Sequence, residues 1–151
     1  MLRGGLDNRA LVPPAVQVKR IETDGATELP YRRLTSRFAP AAYGHHCTES
    51  ALGSQAIEAL VNAGRWDLVS NALRGPSPSG RLFGAEALLL REEALDSADA
   101  HTIRRIRDMN LSVATCPRGC IGGQTTDART VVETAERARG KSILLGHDSR
   151  H

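Results

Sequence analysis

The chain has 151 residues, 40% of them hydrophobic and 25% charged, with a formal net charge of +3; that is apolar side chain enough for one core and too little for two. Only 3% are aromatic, so leucine, isoleucine, valine and alanine must close the core, and such compact side chains favour close helix contacts over a thick sheet sandwich. No apolar run of about 18 residues is present to span a membrane, and three cysteines, an odd number, speak against a disulfide-stapled secreted domain. In chain order, residues 1–47 read as an irregular arm: Pro13-Pro14, Gly25, Pro30 and Pro40 interrupt every helix before it matures. The arm is either disordered or an extended cover on the body, and the aromatic residues Tyr31, Phe38 and Tyr43 favour docking. Nothing before Pro13 has the apolar core of a signal peptide, so the expected compartment is the cytoplasm. Arginine outnumbers lysine 18 to 2, the usage of a GC-rich genome of bacterial type.

The Gly44-His45-His46-Cys47 stretch carries the side chains zinc prefers, but neighbouring side chains diverge, and a surface or capping role is expected for them. A short helix follows from Ser54 to Ala63, ended by Gly64. Trp66, Val69 and Leu73 then form a helical stripe that Gly75 stops. In Gly75-Pro76-Ser77-Pro78-Ser79-Gly80 the prolines and glycines forbid continuation, and Ser77 or Ser79 can cap the next helix, expected from about Arg81 to Leu95. Its apolar residues cover more than one stripe, predicting neighbours on two sides. Glu86 falls between apolar rows and needs a partner there, such as an arginine of an adjacent helix.

Pro78, Arg81, Gly84, Ala85, Ala87 and Leu88 carry a resemblance to HEAT-type repeats over residues 54–110. Such repeats open a helix with proline, place arginine three residues later, and follow with small residues where helices cross. The resemblance implies stacked helical hairpins. Gly84 stands where that pattern has alanine, and Ser77 precedes Pro78 where it has aspartate.

Asp96 caps a further helix reaching Asn110, which buries Ile103, Ile106 and Met109 and leaves Arg104, Arg105 and Arg107 outside as a candidate binding surface. Leu111–Thr115 alternates as a short extended segment into Cys116-Pro117-Arg118-Gly119-Cys120, a candidate thiol pair. Pro117 and Gly119 turn the chain, so Cys116 and Cys120 suit ordinary turn thiols, a disulfide or redox pair, or half of a metal site. A metal would draw further ligands from Cys47, His45, His46 or His147, all distant in sequence. Asp127 caps a last helix with Val131, Val132, Ala135 and Ala138 on one face, supported by Glu133 and Arg137. Gly140 is expected to end it, with Ile143–Leu145 extended beyond. Gly119–Gly123 lacks the strand and helix context of a dinucleotide site, and no phosphate-loop lysine occurs.

The sequence therefore predicts a mainly α fold: HEAT-like stacked hairpins over 48–146, an irregular arm over 1–47, a small cysteine-bearing C-terminal appendage and a tail at 147–151. Charge is segregated: +7 and −4 over 1–47, +4 and −8 over 48–100, +9 and −5 over 101–151, giving +3, −4 and +4. The pattern predicts basic ends docked on an acidic middle, ahead of an outside partner. Without a catalytic constellation or an implied cofactor, the expected role is an interaction scaffold or adaptor that holds another protein. The alternative is a thiol redox or metal module on Cys116 and Cys120. A third is a weak nucleic-acid binder through the basic ends, not favoured because no aromatic residue between 84 and 151 offers a stacking platform.

Overall fold

The computed structural model of the chain describes residues 22–37, 42–45, 48–115 and 124–147. In them the elements run α1 (Glu28–Thr35), α2 (Thr48–Asn62), α3 (Trp66–Leu73), α4 (Pro78–Leu90), α5 (Ser97–Asp108), β1 (Ser112–Thr115), β2 (Gln124–Asp127) and α6 (Ala128–His147). The fold is mainly α, as expected.

The corner between α3 and α4 forms for the reasons visible in its residues. Ser77 Oγ accepts from the Gly80 amide at 3.1 Å, and Pro78 occupies the first helical position, where a missing N–H costs nothing. The helix so started is the most enclosed element. Leu82, Phe83, Gly84, Ala85, Leu88 and Leu89 are all buried, and α1, α2, α3 and α6 pack around it. Helices approach this closely only over small residues. A methyl group built on Gly80 would lie 1.9 Å from the Leu34 carbonyl oxygen of α1, and one on Gly84 3.0 Å from the Leu73 amide nitrogen of α3.

Several boundaries differ from the sequence reading, three of them for reasons that lie in the packing. The arm contains α1, because Pro30 falls in the first helical turn, where its absent donor has no partner to lose. The turn before it is locked by a reciprocal pair: Asp24 Oδ1 accepts from the Thr27 amide at 3.0 Å, and Thr27 Oγ1 accepts from the Asp24 amide at 3.2 Å. The Thr27 hydroxyl and then the Thr27 amide, both donating to Asp24 Oδ1, hold the Asp24 carboxyl below its usual range. Leu34 is fully buried and the Asn71 amide donates to the Tyr31 hydroxyl, so this part of the expected arm belongs to the body. Residues 1–21, Phe38 and Pro40 lie outside the described residues.

At the other end of the corner, α4 stops at Leu90 rather than Leu95. Arg139 of α6 donates to the carbonyl oxygens of Leu89, Arg91 and Glu93 at 3.0–3.3 Å, so these acceptors are satisfied without another helical turn. Arg91 turns away to lie 4.4 Å over the Trp66 ring. The same Arg139 helps explain the third difference: α6 runs through Gly140 to His147 instead of ending there. Gly140 does not adopt the left-handed conformation that stops a helix, whereas Gly64, at φ 67°, does end α2.

The remaining elements follow their local signals. α2 begins at Thr48, earlier than Ser54, and α5 is capped by Asp96 Oδ1, which accepts from the Ala98 amide at 3.0 Å. Ile103 and Ile106 are buried as expected, but Met109 lies beyond the last helical residue and is 47% exposed. β1 realises the alternating segment and pairs antiparallel with β2, from Ser112 opposite Asp127 to Thr115 opposite Gln124. β2 has no apolar alternation to announce it. Asp127 Oδ1 accepts from the Thr130 amide at 2.7 Å at the head of α6, where Val131, Val132 and Ala135 are buried and Ala138 is exposed.

The glycines of α4 and α6 should separate on substitution. Gly80→Ala should lower the unfolding free energy by about 3 kcal/mol, as overpacking against backbone does. Gly140→Ala, with open space around it, should raise it by about 0.5–1 kcal/mol through helix propensity. Urea unfolding measures both; a Gly80→Ala chain as stable as its parent would show that α1 does not cross there.

Candidate functional site

The arginines singled out in α5 have separate environments. Arg107 Nε donates to Asp108 Oδ1 at 3.2 Å and its guanidinium lies 3.9 Å from Glu136, so its charge is answered within the fold. Arg104 is exposed, and among the described residues neither Arg104 nor Arg105 has an ion-pair partner. Arg105 lines a groove of about 350 Å³ between α3, α4 and α5, whose walls are Leu73, Arg74, Arg81, Thr102, Ile106 and Met109. No local signal places Arg74 and Arg81 here together, since one follows α3 and the other lies in α4.

These two are held, not loose. Arg81 Nε donates to the Gly75 carbonyl at 2.5 Å, across the corner it helps to close. Arg74 donates to Ser70 and pairs with Asp99 at 2.7 Å, and Ser70 Oγ also donates to Asp99 at 2.6 Å. Asp99 is buried, so this knot fastens α5 to α3 with its charge compensated. The groove therefore has an apolar floor, two fixed guanidinium groups and a third, on Arg105, without a counter-charge.

A second polar assembly surrounds Glu86, the carboxylate that needed a partner. That partner is not an arginine. Tyr43 Oη donates to Glu86 Oε2 at 2.5 Å, and His45 Nε2 lies 3.2–3.3 Å from both carboxylate oxygens. His45 Nδ1 lies 3.0 Å from Ser54 Oγ on α2. The Phe83 ring supports both aromatic neighbours, with centroid distances of 4.8 Å to Tyr43 and 5.9 Å to His45. The segment itself is pinned by the Tyr43 amide, which donates to the Ala114 carbonyl at 2.9 Å and makes a parallel bridge to Thr115. Burial, then the bond to Glu86, pushes the Tyr43 phenol well above its usual value.

Among the described residues no arginine–carboxylate pair joins two of the three charge segments; the imidazole–carboxylate contact of His45 and Glu86 does. Among the described residues, α1 and α6 thus meet the acidic middle through apolar packing on α4 rather than through a set of salt bridges. Cys116 and Cys120, with His46 and Cys47, lie outside the described residues, as does the side chain of His147, although that residue closes α6. Among the described residues no three metal-ligating side chains converge, and no helix is long and apolar enough to cross a membrane. Comparison with known protein families, with curated proteins and with solved structures finds no match.

Because the folded chain holds the Tyr43 phenol neutral, its contribution to stability is complete below about pH 10, the ordinary tyrosine value, and is lost as pH rises beyond it. Tyr43→Phe should cost about 1 kcal/mol at neutral pH, the net worth of one hydrogen bond, and should reduce the alkaline loss. Urea midpoints at pH 8 and pH 11 test this, and an identical decline in both proteins would contradict it.

Proposed function

We propose that the helical body is a protein-interaction module, with α3 and α4 stacked as a HEAT-like hairpin, and that it holds an acidic, apolar segment of another protein in the groove of α3, α4 and α5. The observation that supports this reading is the groove itself: Met109, 47% exposed, offers apolar surface over the buried Leu73 and Ile106, beside Arg74, Arg81 and an unanswered Arg105. A leucine or phenylalanine of the partner gains by leaving water there, and an adjacent carboxylate receives guanidinium donors. The chain's own N-terminal stretch is a poor occupant. Residues 1–21 carry Arg3, Arg9, Lys19 and Arg20 against Asp7, the same sign as the groove. A nucleic-acid backbone is also poorly matched, since Arg107 is already paired with carboxylates.

Selection from a displayed library of random dodecapeptides tests the reading. Enriched peptides should place aspartate or glutamate beside a large apolar residue. Their affinity should fall at least tenfold in Arg105→Glu and stay within twofold in Arg104→Glu, since one charge-assisted hydrogen bond is worth about 1.5–3 kcal/mol. Peptides without acidic residues, or equal binding by both variants, would remove the groove from the account.

One contact favours the thiol or metal module as a second reading. The Tyr43–Thr115 bridge sets the backbone two residues before His45 beside the residue that precedes Cys116 in sequence. On this reading His45 is the added ligand for Cys116 and Cys120. Zinc titration against a chromogenic chelator should then show one equivalent bound, weakened at least tenfold in His45→Gln; no uptake by the reduced protein would end it.

A further inference from the structure

We infer that Ser54 is an activated nucleophile, with His45 as its base and Glu86 and Tyr43 as positioning residues, and that it accepts acyl or phosphonyl groups from small activated esters and fluorides. The inference is independent of the groove. It rests on a continuous hydrogen-bond chain that the fold assembles from three separate parts of the sequence: Ser54 on α2, His45 on the pinned segment, Glu86 on α4.

The chain has a direction. Glu86 accepts from Tyr43 and faces His45 Nε2 with both oxygens, so Nε2 carries the proton and Nδ1 presents a lone pair to the Ser54 hydroxyl 3.0 Å away. This is the order carboxylate, imidazole, hydroxyl that serine nucleophiles use, with the two ring nitrogens exchanged. A serine inside a helix ordinarily turns its hydroxyl to a carbonyl of the preceding turn. Here the imidazole takes it instead. The site is also reachable: the His45 side chain is 43% exposed and that of Glu86 22%, while Phe83 backs the ring from the core side.

The chemistry is one displacement for a fluoride and two for an ester. Ser54 Oγ attacks the electrophilic carbon or phosphorus, its proton passes to His45 Nδ1, and the imidazolium so formed is stabilised by Glu86. An aryloxide or fluoride leaves with the bonding pair and is protonated by the imidazolium or by water; for an ester, water then releases the acid and restores Ser54. Ser54 is the seventh residue of α2, so its own amide is committed to the helix and is not aimed at the developing oxyanion. Activation therefore comes from the base alone, worth on the order of 10²–10⁴ in rate. That restricts the site to activated substrates and makes stoichiometric labelling its natural signature.

A fluorophosphonate probe on the native full chain, followed by peptide mapping, tests the inference without interference from the cysteines. One phosphonyl group per chain should appear on Ser54, none after denaturation, and the rate should fall at least tenfold in His45→Gln. Glu86→Gln should slow labelling, and Glu86→Asp should restore part of it although the two variants share one melting temperature. Ser54→Ala should abolish the adduct; should that variant unfold, the surface change His45→Gln still decides. Label absent, spread over several serines, or indifferent to His45→Gln would overturn the assignment.

Discussion

A helix covered on most of its circumference can be approached by several others only where its side chains nearly vanish, and α4 meets that constraint with Gly80 and Gly84. Gly80 admits the backbone of α1 and Gly84 that of α3, while Leu82, Phe83, Leu88 and Leu89 fill the space between crossings. The rest of the structure takes its position from this post. α6 is tied to its end by Arg139, and each polar assembly borrows one α4 residue, Arg81 for the groove and Glu86 for the hydrogen-bond chain.

How the charges are used follows from that arrangement. Three of the eight acidic groups of the middle segment are spent locally: Asp67 on Arg65, Asp99 on Arg74, Glu93 on Arg91. Exposed pairs of this kind contribute little to stability, whereas the Asp99 knot, being buried, would be costly to break from one side. Among the described residues, segregation of charge along the sequence therefore forms no arginine–carboxylate pair between segments. Burial of Leu34 and Val132 against the same helix joins them instead.

Much of the fold was legible because its signals are local. Ser77 and Pro78, Asp96, Asp127 and Gly64 each act within a few residues, and each helix terminus they announce is found. Errors arose where a partner distant in sequence changes the meaning of a residue. Gly140 reads as a stop until Arg139 is anchored on α4, and Pro30 reads as a break until its place in the first turn is known. The candidate sites were half legible for the same reason. Glu86 could be recognised as misplaced on its helix and Arg105 as unburied, but Tyr43, His45, Arg74 and Arg81 reach them only through tertiary packing.

The segment 42–45 has a consequence for the order in which the chain can acquire its form. Its partners sit at Ser54, Phe83, Glu86 and Ala114, all of them later in the sequence. On a chain made from the amino end, Tyr43 and His45 emerge with nothing to hold them and wait until α4 and then β1 have been synthesised. Ser54 and His45 are both made before Glu86 exists to orient the ring, so whatever chemistry the assembly performs belongs to the finished protein and to no shorter growing chain.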